Sequence, residues 1–507
     1  MRRIIKQLPI TLPLPKVRLT PSQALNSVTS KSGLGVYASS DRLFRGAVFG
    51  RDSLEVAEDL MHIKPGLVEK IILTLASLQG EVENKANEEE PGKIIHEYRT
   101  PIVDGKAINR TSREIYDRLS AMWGGDENSL AYYGSVDSTP HFIKMLAAFC
   151  HEYGMEILTR QVRLRSGRSQ SVLAVMDSAI EWLAGHLDKS KSGMIEYHRR
   201  NPHGIENQVW KDSREFYVHE NGQLASHSHP ISSIEVQGLT YDAFMMAAEL
   251  LPSKKTRLES YAKRLQKYVI SHLWLSQREY FALGTDYDHD GNLRVIRTIT
   301  ANPAELLDST IFDDLPTKEK INYISGITRE ILGTNFLTDA GIRSRALNEA
   351  NLVDFWDYHG SYVTWPKETY DVAKGLRRQG FPALARELEN RLLNVVRATR
   401  SYPEFLYVDP RGRVLGIPAP AKTHGELIFV DSPNRPEKIQ AWTVSAVLAI
   451  QNQRSRLSTP KTHQENWQKA LEKEVLQHIP LVPRLKSTKE LSARYPSYPY
   501  QINSKEQ

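Results

Sequence analysis

Along most of the chain, apolar residues recur every three to four positions, the period of a helix with one buried face. Leu54, Val56, Ala57, Leu60 and Met61 form the first such run. Comparable runs cover residues 65–78, 142–153, 171–187, 241–251, 256–275, 316–332, 369–376, 383–396, 440–450 and 466–479. They predict about ten to twelve helices. Between 279 and 300 the pattern shortens to alternation around Asp286, Asp288, Asp290 and Gly291, which predicts a β-hairpin. A calcium loop does not fit there, because the twelfth position from Asp286 is Arg297 where a bidentate Glu is required. With no βαβ rhythm, the pattern argues for an all-α array of helical hairpins. Six hairpins closed in a ring, an (α/α)6 toroid with one small β-hairpin excursion, would gather the loops at the helix mouths around one cavity.

Those loops are polar and rich in chemistry. Arg51 and Asp52 sit at a helix mouth, where Asp52 or Ser53 is placed to cap the helix. In a functional reading, Asp52 accepts and Arg51 donates hydrogen bonds to adjacent hydroxyls of a terminal sugar. His96, Glu97 and Arg99 cluster after an acidic, turn-rich stretch (81–91) that reads as solvated loop. Their spacing lacks the i, i+4 histidine pair of a zinc helix, so no metal is expected. Tyr133 and Asp137 precede a helix that Ser138 or Thr139 would cap, with Pro140 in the first turn. The segment Asn207, Gln208, Val209, Trp210, Lys211, Asp212, Ser213 has no clear helical or strand period. An indole beside amides and an acid suits a sugar, whose C–H face stacks on the ring while its hydroxyls need donors and acceptors. An ordinary surface loop anchored by a buried Trp is the alternative. Glu235 and Gln237, then His359 and Trp365, lie in further polar segments, each followed by an apolar run.

Composition narrows the class. The 507 residues exceed one ordinary domain, and two lobes or one large domain with an appendage both fit. Hydrophobic content of 40%, charged content of 25% and a net charge of +6 are globular values, with Lys and Arg scattered, so nucleic acid is not an expected partner. The single cysteine, Cys150, excludes an internal disulfide and lies in an apolar helical run, as a buried side chain would. The apolar patch 8–14 is interrupted by Pro9 and Pro13, too short for a secretion signal or a membrane span, and no other stretch is long enough to span. A soluble, cytoplasmic protein with no membrane partner is expected.

The ordered motifs add a resemblance. Gly50-Arg51-Asp52-Ser53, Pro91-Gly92-Lys93-Ile94-Ile95-His96-Glu97, Tyr132 through Pro140, Asn207 through Ser213 and Glu235-Val236-Gln237-Gly238 stand in this order. His359-Gly360-Ser361, Trp365-Pro366, Pro403-Glu404-Phe405 and Gln440-Ala441-Trp442 continue the series. In this the chain resembles the catalytic domain of bacterial and archaeal glycogen debranching enzymes, the amylo-α-1,6-glucosidase group, and more distantly glucoamylases. The resemblance runs from about residue 40 to 452. It implies an N-terminal extension (1–39), a six-hairpin catalytic domain (40–452) and a C-terminal appendage (453–507). It further implies hydrolysis, with inversion, of a terminal α-glucosidic bond in a glycogen-like α-glucan or related oligosaccharide, without a cofactor. Asp212 falls at the general acid and Glu404 at the general base, with Glu368 an alternative base. Arg51 and Asp52 match residues that bind the non-reducing sugar. His96, Glu97, Tyr133, Asp137, Trp210, Lys211, Glu235, Gln237, His359 and Trp365 are the further expected sugar contacts. A phosphorylase on the same scaffold and a non-catalytic carbohydrate-binding toroid remain as alternatives.

Overall fold

The computed structural model describes residues 17–40, 42–415, 435–455 and 464–480, with the backbone of a few short strands outside those ranges. In chain order the helices are α1 (Pro21–Val28), α2 (Gly50–Leu60), α3 (Pro65–Ser77), α4 (Arg110–Trp123), α5 (Ser138–Tyr153), α6 (Glu156–Thr159) and α7 (Val172–Lys189). Then follow α8 (Ile234–Leu250), α9 (Lys255–Leu273), α10 (Thr317–Ile331), α11 (Pro366–Arg378), α12 (Pro382–Thr399), α13 (Ala441–Ser455) and α14 (Asn466–His478). Each apolar run of the sequence falls on one of them. Several begin a turn or more before the run does. In α8, for instance, Glu235 and Gln237 interrupt the apolar period yet occupy the first turn, because their side chains bond inside the fold.

The helices form two tiers. α2 packs on α5, α5 on α8, α8 on the 3-10 turn Asn302–Leu307, that turn on α11, α11 on α13, and α13 back on α2. Around this series, α3 packs on α2 and α5, α7 on α5, α9 on α8, α10 on the 3-10 turn, α12 on α11 and α1 on α13. Burial separates the tiers. Eight consecutive residues of α2, Gly50 through Ala57, are buried, whereas α9 buries only the stripe Leu258, Ala262, Leu265, Gln266, Val269 and Leu273. Gly50 makes the strand-to-helix junction possible, since a Cβ there would stand 2.0 Å from the Ile95 carbonyl oxygen.

The single β excursion expected from the sequence is an underestimate. The predicted hairpin is present as Gly284–Tyr287 against Leu293–Ile296, but it extends a four-stranded antiparallel sheet with Glu196–Tyr197 and Ile231–Ser233. A three-stranded sheet joins Val48–Phe49, Glu97–Arg99 and Leu130–Tyr132, and several two-stranded pairs complete a helical chain with small sheets. The stretch 81–91 is also less solvated than its acidity implies. Glu88 is buried because its carboxylate accepts from the backbone N–H groups of Arg200 (2.8 Å) and Asn201 (2.7 Å). Asp52 does not cap α2, whose N-cap is Phe49 with no side-chain bond, and neither Ser138 nor Thr139 caps α5, which starts after Asp137.

Buried ion pairs link α2 to α11. Lys367 bridges Glu55 (3.1 Å) and Asp371 (2.6 Å), and Lys374 meets Glu58 (3.2 Å) and Asp371 (3.0 Å). Lys211, fully buried, pairs with Glu368 and donates to Asn302 Oδ1 at 2.9 Å. Removing one partner of such a pair strands a buried charge, whereas replacing both with apolar groups does not. Lys211→Met should therefore lower unfolding free energy by about 3–5 kcal/mol in urea titrations, and adding Glu368→Leu should recover much of that loss. A single-variant loss under about 1 kcal/mol would show that the pair is not a structural anchor.

Candidate active site

A cavity of about 650 Å³ opens where the α2 and α13 beginnings meet the long loops. The first turn of α2 brings Arg51 and Asp52 to it, and the central three-stranded sheet brings His96, Glu97 and Arg99. The loop before α8 supplies Trp210 and Asp212, the loop before α11 supplies Tyr358, His359 and Trp365, and Glu404 lies across the chain just before the strand Leu406–Tyr407. Asp212 and Glu404, distant in sequence, thus line one cavity.

The carboxyl of Asp212 accepts a hydrogen bond from the Tyr358 hydroxyl at 2.5 Å. Burial raises its pKa above the ordinary aspartate value, while the Tyr358 bond and the nearby Arg51 charge pull the other way. Tyr358 feels the negative charge of both Asp212 and Glu404, so the two acids share a neighbour. Glu404 accepts from the backbone N–H of Glu437 at 3.0 Å. Asp52 accepts from Gln440 Nε2 at 3.1 Å, and burial lifts its carboxyl to about 7 against the lowering effect of Arg51. Arg51 is itself held by Asp137, whose carboxylate takes its Nη1 at 2.6 Å and the Ser135 hydroxyl at 2.6 Å.

Several buried polar atoms on residues lining this cavity have no hydrogen-bond partner among the described residues: Arg51 Nε, His96 Nδ1, His359 Nε2, Gln440 Oε1 and Trp442 Nε1. Buried polar groups are nearly always satisfied, and these orphans fall on residues around one space. Both histidines are neutral. Burial pushes His96 down to about 3 and His359 well below the usual imidazole range. His359 Nδ1 faces the Ser213 N–H at 3.4 Å and so acts as acceptor, which leaves Nε2 carrying the proton as a donor. Its ring stacks on Trp365, with centroids 5.0 Å apart at 19°.

Not every residue expected here reaches the cavity. Lys211 lies between two residues that do, and the local backbone turns its side chain inward to Glu368. Tyr133 is buried and donates to the Leu78 carbonyl (2.8 Å), and Gln237 bonds the Ile195 backbone through both ends of its amide. Glu235 bonds Ser233 below the cavity floor. Asp137 pairs with Arg51. These five bond within the scaffold and do not line this cavity. Glu368, the alternative base, is fully buried against Lys211 and Ser344 and is removed from that role. Glu97 does line the cavity, but Arg99 holds its carboxylate.

Sequence reasoning passed over Tyr358, Gln440, Trp442 and the whole of α4. Gln440 and Trp442 stood inside a noted motif, and Tyr358 beside His359, so their position was a usable signal. The α4 segment mixes five charged residues with its apolar ones. Its helix is set by Asn109, which accepts from Ser112 N–H at 2.9 Å, and by Gly124 at φ +70°.

By sequence, no family model and no curated protein matches this chain. Solved structures do match in three dimensions. The GH63 mannosylglycerate hydrolase from Thermus thermophilus, in complex with Tris and D-glycerate, aligns at 13% identity with a TM-score of 0.51, covering 85% of this chain and 99% of that one. The same hydrolase in complex with glucose gives 12% identity and a TM-score of 0.50 over the same shares. A wild-type glycosidase aligns at 10% identity with a TM-score of 0.50, covering 85% and 95%. At these identities the likeness is one of fold.

Because the Tyr358 hydroxyl stabilises the ionised form of Asp212, Tyr358→Phe should raise the Asp212 pKa further. Carbon-13 NMR titration of the aspartate carboxyls would show this as a midpoint moved to higher pH. A midpoint that stays put or moves down would mean the hydroxyl does not hold this carboxyl in solution.

Proposed function

We propose that the chain is an inverting glycoside hydrolase on an (α/α)6 toroid, with Asp212 as general acid and Glu404 as general base. The observation that carries this reading is Asp212 and Glu404 lining one cavity, with the Asp212 pKa raised by burial. Glycoside hydrolysis passes through an oxocarbenium-like state and needs an acid on the leaving oxygen and a second carboxylate. In the inverting case the two stand roughly 6.5–9.5 Å apart, with a water between base and anomeric carbon. The proton of Asp212 goes to the glycosidic oxygen as the C1–O bond breaks. The water, giving its proton to Glu404, forms the new C1–O bond on the opposite face. Arg51, Asp52 and the neutral donors His96 and His359 hold the hydroxyls of the terminal sugar, and Trp210 and Trp365 supply its apolar faces.

The substrate in this reading is a terminal α-glucoside: the α-1,6 branch of a glycogen-like glucan, or a related oligosaccharide. A cavity of about 650 Å³ is within the range of small-molecule sites, which favours the oligosaccharide end of that choice. The solved relative named for mannosylglycerate hydrolysis supports a small glycoside in the same way.

Asp212→Asn and Glu404→Gln should each lower kcat by about 10²–10⁴-fold on a cleaved α-glucoside, with glucose affinity kept within a few-fold. Turnover independent of added phosphate separates hydrolysis from phosphorolysis. The pH sign follows from the roles. The acid works protonated, so its raised pKa extends activity upward in pH and the rate falls as pH rises through it. A variant of either residue with wild-type kcat would remove that residue from the chemistry.

A further inference from the structure

One wall of the cavity is unlike the rest. Helix α4 presents Ile115, Arg118, Leu119 and Trp123 to it, positions three, four and eight apart and therefore on one helix face. Leu119 and Trp123 belong to a small apolar cluster that also holds Ile205, and the turn Arg42–Phe44, which packs on α4, adds Leu43 and Phe44. Leu43 is 40% exposed, one of few large apolar side chains so open to solvent. A sugar ring needs hydroxyl partners on its rim, and this wall offers almost none: the indole N–H of Trp123 is already taken by the His203 carbonyl at 3.0 Å.

The one strongly polar group on that helix face is Arg118. Its acidic neighbours on α4 are occupied, Glu114 by Arg110 (2.9 Å) and Asp117 by Arg113 (2.8 Å). Across the cavity the Glu97 carboxylate is held by Arg99. Arg118 consequently makes no ion pair among the described residues while lining the cavity. An exposed guanidinium lining the same cavity as an apolar wall matches a ligand with an apolar body and a planar or tetrahedral anion at its end.

The geometry points to an aglycone of that kind: the group leaving the sugar carries an aryl or alkyl body against Leu119, Trp123 and Leu43, and a carboxylate or phosphate against Arg118. This rests on the glycosidase reading and narrows its substrate from a further sugar to an amphipathic acid or phosphate ester.

The test is calorimetric titration of the full-length protein with 4-hydroxyphenylacetate, phenyl phosphate, 4-hydroxybenzyl alcohol and D-glycerate. The better of the two aryl anions should bind about tenfold or more tighter than both the neutral alcohol and D-glycerate, and which one leads identifies the anion. Arg118→Gln, with its thermal melting unchanged, should erase the preference over the alcohol, and Leu119→Asn should erase the preference over D-glycerate. The proposal is overturned if D-glycerate binds as tightly as the aryl anions, or if Arg118→Gln keeps the preference. Because these titrations measure binding alone, they separate the two claims. Expected binding with no glycoside cleaved would sink the hydrolase reading and leave this wall assigned, and cleavage of an oligosaccharide with no aryl-anion preference would do the reverse.

Discussion

Burial is what sets the Asp212 carboxyl apart: the chain packs around it while it lines the cavity, and its pKa is raised above the ordinary aspartate value. The Tyr358 hydroxyl and the Arg51 guanidinium stabilise the ionised form in opposition to that burial. The rest of the site can be read as support for this balance. Asp137 and Ser135 fix Arg51 from below, the Trp365 indole N–H donates to the Tyr358 carbonyl at 2.7 Å, and Trp365 stacks under His359.

That support depends on the helical framework. Because the inner series returns from α13 to α2, the first turn of α2 and the beginning of α13 share one mouth, and Asp52 meets Gln440 although they are far apart in sequence. One member of the series is only the short 3-10 turn Asn302–Leu307, and it serves the site from beneath: Glu305 accepts the Trp210 indole N–H at 3.0 Å, and Asn302 accepts from Lys211. The two lysines Lys211 and Lys367 each stand 4.9 Å from the Trp210 ring centroid, so the indole next to the proposed acid is braced by buried cations.

Helices with a strong apolar stripe could be read from the sequence because a buried face imposes a 3.6-residue period whatever the tertiary context. The hairpin at 284–296 was equally legible, since Asp288 and Gly291 make a turn by local bonds. What could not be read was anything fixed by distant partners. Glu88 looks like solvated loop until Arg200 and Asn201 arrive beside it. Within the site, Arg51, Asp52, His96, Trp210, Asp212, His359, Trp365 and Glu404 were named from residue type and motif order, and they lie together. Tyr133, Lys211, Glu235 and Gln237 were named by the same logic and point away, because the direction of a side chain within a loop or first helical turn is set by backbone geometry that composition does not encode.

In an inverting hydrolysis, a water attacks the sugar from the face opposite the leaving group. Proton NMR during the first minutes of hydrolysis of an α-glucoside by the wild-type protein reads this directly. It should show β-glucose forming first and the α anomer appearing only by mutarotation. Initial release of α-glucose would contradict the assignment of Glu404 as a base acting through water.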